Sequence, residues 1–330
     1  MRKSRIRVQR KKKILFLSMI VIACAGIGVY YLWNHRQLEL PGDYRESDRT
    51  DVVQYGGKSY QYNDHLSNYL FMGIDSRDPV ESYEAQGDAG QADVIFLVSH
   101  DRVTDQITCV AIPRDTMTDI EVIGLDGNSR GMTRDHINIQ YAFGDGKSKS
   151  CELMKDAVSR LLYQIPIQKY CSLNMDGISI MTDIVGGVEL TVPDDSLQDI
   201  NPAYTKGAQI VVTGDTAESF VRYRDIEKSQ SAIVRMERQI VFLQAYLEKV
   251  KNAGAEDLSI ITRLLDGVQE YMVTNMGEDV FVQLLGASEK KEIILETLPG
   301  EGIEGESFDE YYPDDNLMYE MILRVFYKEV

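Results

Sequence analysis

Positive charge is scarce in this chain once its first thirteen residues are set aside. Those residues hold eight Lys/Arg and no acid. The remaining 27 Lys/Arg face 52 Asp/Glu, a formal charge of −25 against −17 for the whole chain. A general nucleic-acid binder needs a basic footprint, so that class is excluded. Cysteine is also sparse: Cys24, Cys109, Cys151 and Cys171. Their spacing is not that of a metal site, and the three beyond Cys24 are odd in number, which excludes a disulfide scaffold. Cys109 and Cys171 fall in apolar, strand-like runs and are expected as core thiols. No low-complexity tract or internal repeat is visible. The 330 residues suffice for one large domain or two small ones.

What is present begins with Ile14–Trp33, twenty residues without a charge. A helix of that length spans about 30 Å, one hydrocarbon thickness. Tyr30, Tyr31 and Trp33 stand at its far end as interfacial aromatics. A cleaved signal peptide has a shorter apolar core and a small-x-small site at its end, whereas Ala23-Cys24-Ala25 lies mid-span. The expectation is an uncleaved anchor with its basic end, residues 1–13, in the cytoplasm and everything after Trp33 outside. Residues 34–64 are polar, with Pro41, Gly42, Gly56 and Gly57, and read as a stalk with a short strand near Tyr60–Tyr62. The folded domain is expected over 65–330.

Tyr69–Ile74 reads as a buried strand running into Asp75-Ser76-Arg77, and Val80–Ala92 as an acidic loop. Asp93–Ser99 and Gln106–Ile112 are apolar runs joined by a polar turn, which predicts an antiparallel hairpin. Facing Ser99 with Gln106 sets Asp93 opposite Ile112, so Asp93 and Arg114 share the end away from the turn. Pro113 takes the chain out of the sheet there. Thr116–Thr133, rich in glycine, predicts a loop or hairpin. Helical spacing marks Asp135–Gly144, Ser148–Gln164 and Gly177–Ile184; Lys169–Met175 and Val188–Val192 read as strands. Helices are expected from Ser231 to about Asn252, over Leu258–Met272, near Asp279–Leu285 and over Asp314–Tyr327. Glu292–Leu298 is expected as a strand and Glu301–Asp315 as solvated surface. Strands flanked on both sides by helices predict an α/β fold, a mixed sheet covered on both faces.

Phe220–Gln239 concentrates Arg222, Arg224, Arg235 and Arg238 in this acidic chain. Val221–Arg224 alternates apolar and charged; if extended, it puts Arg222 and Arg224 on one face. A helix would turn them roughly 200° apart. The helix after Ser229–Ser231 carries Met236, Ile240, Leu243, Leu247 and Val250 as an apolar stripe, with Arg235 and Gln239 along its edge near the N-terminus. Planar guanidiniums near a helix N-terminus suit phosphate oxygens. Pairing with the abundant acids as a solvated face stands as the other reading.

Seven stretches in order carry a resemblance: LFMGIDSR (70–77), ADVIFLVS (92–99), VAIPRDT (110–116), HINIQYAFG (136–144), GGVELTVP (186–193), FVRYRD (220–225) and RMERQ (235–239). Over about residues 66–250 the chain resembles the LytR-CpsA-Psr family of bacterial cell-envelope proteins. The resemblance implies a three-layer α/β/α fold around a mixed sheet, behind one N-terminal transmembrane helix. It implies a phosphotransferase that moves a glycan polymer from a polyprenyl-pyrophosphate carrier to a hydroxyl of peptidoglycan, with Mg²⁺. Arg114 matches a pyrophosphate-contacting arginine; Arg222, Arg224, Arg235 and Gln239 match the other head-group residues. Asp75 and Asp93 match the acids of metal binding and catalysis, and Arg77 the arginine of the first turn. Two positions depart from the pattern: Gln91 replaces an arginine two residues before Asp93, and His136 replaces the lysine of a Lys-Ile-Asn segment. Both changes remove permanent positive charge. His136 still donates to phosphate, and it completes the expected head-group set. Two rivals stand beside the transferase: a non-catalytic binder or regulator of envelope assembly, and a hydrolase that uses water as acceptor.

Overall fold

The computed structural model describes residues 52–83, 87–224, 231–257, 259–305 and 308–330. The expected basic segment (1–13), membrane span (14–33), the stalk up to residue 51 and the serine cap at Ser229 lie outside the described residues. Among those described, no helix is long and apolar enough to cross a membrane.

The chain opens with β1 (Val53–Tyr55), β2 (Lys58–Tyr62), β3 (Leu66–Ile74), β4 (Ala92–Asp101), β5 (Gln106–Ala111), β6 (Met117–Ile123) and β7 (Ser129–His136). A 3-10 helix over Ile137–Phe143 leads to α1 (Ser148–Leu161), β8 (Lys169–Asn174), α2 (Met175–Ile184), β9 (Val188–Thr191) and β10 (Gln209–Val212). Then come α3 (Gly214–Arg222), α4 (Ser231–Glu256), α5 (Ser259–Val268), β11 (Met272–Thr274) and α6 (Glu278–Lys290). The last elements are β12 (Ile294–Thr297), β13 (Gly300–Glu304), β14 (Asp309–Pro313), α7 (Asp315–Phe326) and β15 (Tyr327–Glu329).

Six strands form the central sheet in the order β11-β8-β3-β4-β5-β12. The β3–β8 and β5–β12 pairs are parallel and the rest antiparallel, so the sheet is mixed, as expected. Alternation along β3 sends Leu70, Met72 and Ile74 into one core with α1 and α7. It sends Tyr69 and Phe71 to the other face, under α6. On β4 and β5 the second face is Phe96, Cys109 and Ala111, against Met236, Ile240 and Leu243 of α4. Helices thus cover both faces. Cys109, Cys151 and Cys171 are buried and free. Burial pushes each thiol up to about 12, in keeping with core roles.

Several expectations need correction. Val221-Arg222 is not extended: it ends α3, which a capping box between Thr213 and Thr216 starts and which buries Ala217, Phe220 and Val221. An apolar face at helical spacing overrides the local alternation. The hairpin register is Ser99↔Thr108 and Phe96↔Ala111, not Ser99 facing Gln106. The turn is shorter than expected, because β4 continues to Asp101 opposite Gln106. Helix α4 runs to Glu256, and its most buried side is Phe242, Tyr246 and Val250, packed in a separate core with α3 and α5. Of the expected stripe, Met236, Ile240 and Leu243 form its flank against the sheet, whereas Val250 belongs to the separate core. The short strands β1, β10, β11, β14 and β15 went unread, and the expected solvated stretch Glu301–Asp315 holds the β13–β14 hairpin. β2 pairs with β1 and with β15, so the described part of the expected stalk is woven to the end of the chain.

Leu97, on β4, is fully buried, whereas Val103, in the hairpin turn, is 66% exposed. Leu97→Ala is expected to lower stability by about 3 kcal/mol and Val103→Ala by no more than about 0.5 kcal/mol, read from urea unfolding midpoints.

Candidate anion-binding site

β3, β5 and β8 run in the same direction and end at one edge of the sheet, where antiparallel β4 begins. Ligands of open α/β sheets gather at such carboxyl ends. Asp75 follows β3, Asp93 opens β4, and Arg114 follows β5 past Pro113. The true register, extended past the strand end, brings Arg114 level with Asp93. Arg114 Nη1 donates to Asp93 Oδ1, and its Nε donates to Asp115 at 3.0 Å. From α4, Arg235 Nη1 donates to Asp93 Oδ2 at 3.0 Å. Both oxygens of Asp93, whose side chain is only 8% exposed, are therefore held by guanidiniums.

Burial opposes the charge on Arg114, but Asp93 and Asp115 raise its pKa above the ordinary value. For Arg235 burial wins: desolvation lowers its pKa, Asp93 resists, and the like charges of Arg114 and Arg224 lower it further. Arg235 Nε is buried with no hydrogen-bond partner. An unpaired buried donor on a guanidinium is costly, and an arriving anion would relieve it.

Asp75 is the other carboxylate. Its Oδ1 accepts the Gln91 N–H at 2.5 Å. Burial raises its pKa, the Gln91 N–H opposes this, Asp93 adds to it, and Arg114 and Arg222 counter it. Gly90, at φ +78°, permits this contact; a Cβ there would lie 2.8 Å from Asp75 Oδ1. Gln91 Oε1 accepts from Asn138 Nδ2 at 2.9 Å, and the Asn138 N–H reaches the Arg114 carbonyl at 3.3 Å. Asn138 Oδ1 is buried and has no partner. A half-buried carboxylate beside Asp93, with a spare amide oxygen nearby, is a donor set that suits a hard oxygen-seeking cation such as Mg²⁺. Among the described residues no cluster of three or more His, Cys, Asp or Glu could hold a metal alone. Phosphate oxygens and water would have to complete the shell.

The other expected residues are placed differently. Arg77 is largely exposed and pairs with Glu218 at 2.5 Å; Arg222 meets the same carboxylate at 3.2 Å. Arg224 is near enough to Arg235 to depress its pKa. Gln239 donates from Nε2 to the Val221 carbonyl at 3.1 Å. His136 turns to the β13–β14 hairpin: Nδ1 lies 3.0 Å from Asp135 and Nε2 3.0 Å from the Asp309 carbonyl. Asp75, Asp93, Arg114 and Arg235 thus form the cluster. Arg77 and Arg222 share an acid at its side, and His136 is engaged elsewhere.

Three participants were not assigned from sequence. Arg238, 1% exposed, donates to the Phe220 carbonyl and to Ser196 Oγ, each at 2.6 Å, and to the Tyr223 carbonyl. With Gln239 it satisfies the carbonyls that end α3, which lack helical partners, and so fixes where Arg222 and Arg224 stand. Glu218 carries a readable sign, its i,i+4 spacing to Arg222. Asn138 carries none beyond its place in HINIQYAFG. Beside the cluster a slot lined by Asp93, Arg114 and Gln239 at its polar end, and by Phe96, Ile112 and Met236 beyond, has room for about one water molecule.

Fold and cluster together define an α/β protein with paired arginines and carboxylates at the carboxyl ends of its central strands. The LytR_cpsA_psr family profile matches residues 35–323, and the chain belongs to the LytR-CpsA-Psr family. It is 26% identical over 277 residues to the polyisoprenyl-teichoic acid–peptidoglycan teichoic acid transferase TagV of Bacillus subtilis, matching 81% of this chain and 64% of that protein. It thus spans just under two thirds of that relative's length. To the transferase TagU of Halalkalibacterium halodurans it is 29% identical over 269 residues, 80% of this chain and 79% of that protein. The crystal structure of B. subtilis TagV superposes with a TM-score of 0.61 at 24% identity, covering 79% of this chain and 96% of that one. TagT bound to LI-WTA superposes with a TM-score of 0.60 at 18% identity, covering 79% and 90%. These last two show a shared fold.

Because burial raises the pKa of Asp75 above its unfolded value, the charged carboxylate opposes folding. The penalty is absent below the unfolded range near 3.9 and grows as pH rises through the folded value. In metal-free buffer Asp75→Asn should melt higher than the parent at pH 7, and the gap should close by about pH 3.5. A lower melting temperature for the variant at pH 7 would contradict this.

Proposed function

We propose that the chain is a transferase that moves a glycopolymer from a polyprenyl-pyrophosphate carrier to a peptidoglycan hydroxyl. The observation that carries this reading is the buried Arg114–Asp93–Arg235 bridge. Two guanidiniums share the Asp93 carboxylate there, Arg114 also meets Asp115, and the buried Arg235 Nε is left without a hydrogen-bond partner. The names of the two relatives, polyisoprenyl-teichoic acid–peptidoglycan teichoic acid transferases, support it. We further propose that residues 14–33 anchor the chain in the cell membrane with the domain outside, beside both substrates.

In this scheme the acceptor oxygen attacks the phosphorus that bears the glycan. The bond to the bridging oxygen breaks, and polyprenyl phosphate departs with the electron pair. The hydroxyl proton passes to Asp75, since both oxygens of Asp93 are held by guanidiniums. Arg114 and Arg235 bind and orient the diphosphate; such positioning and electrostatics are most of phosphoryl-transfer catalysis. Asp93, saturated by both, fixes their geometry. Asp75, with Asn138 Oδ1, would hold Mg²⁺, which when bound neutralises charge on the phosphate oxygens. The slot lined by Phe96, Ile112 and Met236 is the entry for the first part of the hydrocarbon tail. It must widen to admit it, since its interior holds about one water.

The test is release of polyprenyl phosphate by the full-length chain in detergent, given Mg²⁺, a polyprenyl-pyrophosphate sugar and a peptidoglycan acceptor. Release that depends on acceptor is expected, with Arg114→Ala slowing it at least about 100-fold. Mg²⁺ should raise the melting temperature of the parent and not of Asp75→Asn. Binding without release would favour the non-catalytic reading, and release indifferent to acceptor the hydrolase.

A further inference from the structure

A shelf of side chains leads away from the site along two hairpins. Period-two alternation puts Met132, Arg134 and His136 of β7 on one face, paired with Glu121, Asp119 and Met117 of β6. The other side of β6 carries buried Thr118 and Ile120, so Met132 and Arg134 look outward, while His136 is held against the β13–β14 hairpin. β14 lies against the start of β6, where the Tyr311 N–H donates to the Asp115 carbonyl at 2.9 Å. Tyr311 turns inward and leaves Tyr312 outside. The Arg134 guanidinium sits 6.0 Å from the centre of the Tyr312 ring. Phe308 stands edge-on to His136, ring centres 6.4 Å apart. Phe308 is 72% exposed, Met132 49% and Tyr312 37%. The shelf is continuous with the anion site: β7 ends at His136, and Asn138, two residues on, bonds Gln91 and the Arg114 carbonyl.

We propose that this shelf docks the acceptor glycan strand, a reading that rests on the transferase assignment and extends it to the second substrate. Exposed rings and a methionine suit the C–H faces of pyranose sugars. Hydroxyl and amide groups along such a strand suit Arg134 and the neighbouring carboxylates. Charge separates acceptor from donor. Asp119, Glu121, Asp135 and Glu310 surround the shelf, and within a Debye length of about 8 Å they repel a polyanion. An uncharged sugar backbone suffers no such penalty. The acidic rim therefore keeps the shelf for the acceptor and leaves the anionic donor to the arginines.

Titration calorimetry of the full-length chain in detergent tests this with three probes: a neutral chitin-type oligosaccharide, a free pentapeptide of stem-peptide type, and inorganic pyrophosphate. The Phe308→Ser/Tyr312→Ser variant changes only exposed side chains. It should bind the oligosaccharide about tenfold or more weakly while holding pyrophosphate as the parent does, which also reports an intact fold. Unchanged oligosaccharide affinity, no oligosaccharide binding by the parent, or a loss confined to the pentapeptide would each overturn the shelf. Pyrophosphate that fails to bind the parent counts against the transferase reading alone, and a loss of oligosaccharide binding would still support the shelf.

Discussion

One carboxylate holds the site together. Asp93 opens β4 and receives a guanidinium on each oxygen, Arg114 from the end of β5 and Arg235 from α4. Removing either partner from a buried pair costs about 3–5 kcal/mol, because the survivor is left charged and unpaired. The bridge thus binds α4 to the sheet edge. It also leaves the Arg235 Nε buried without a hydrogen-bond partner, a donor that a ligand can complete. The rest of the chain carries a large excess of acid, yet charges beyond about 8 Å are screened at physiological salt. The nearby guanidiniums, with the unpartnered Arg235 Nε among them, decide what enters.

The bridge also explains the companions of Arg235 on α4. Arg238 takes the carbonyls of Phe220 and Tyr223, and Gln239, which lines the slot beside the cluster, takes that of Val221. One turn of one helix therefore supplies an anion ligand and the clamp that places the neighbouring arginines. Arg222 and Arg224 owe their position to that clamp rather than to a strand.

This division of labour marks what the residues alone disclosed. That Asp93 and Arg114 meet was legible, because a hairpin with a proline at its end allows little else. The pairing itself was misjudged by two residues, since nothing local sets the length of a polar turn. The helical state of Val221-Arg222 was hidden by an alternating tetrapeptide. Only its packing against α4 and its cap at Thr213, eight residues upstream, decide it. Three-residue strands such as β11 and β15 exist through distant partners, and no local pattern announces them. Arg238 was visible as one of four arginines, yet composition cannot tell a guanidinium that waits for phosphate from one that caps a helix.

The choice of arginine over lysine follows from the same burial. Arg238 is brought down to about 10, chiefly by desolvation, and still carries its charge at neutral pH. A lysine starts roughly two pH units lower. Under a like penalty its pKa would come within about one unit of neutral pH, and part of its charge would be lost. Arg235 is buried to a similar degree and crowded by two further guanidiniums. There only a group that keeps its proton through desolvation and like-charge repulsion can hold Asp93 and still present a donor to a diphosphate. Gln91 fits the same logic. An arginine there would crowd a third full charge against Arg114 and Arg235, whereas the neutral amide binds Asn138 and leaves the attraction for phosphate to the two cations that Asp93 already steadies.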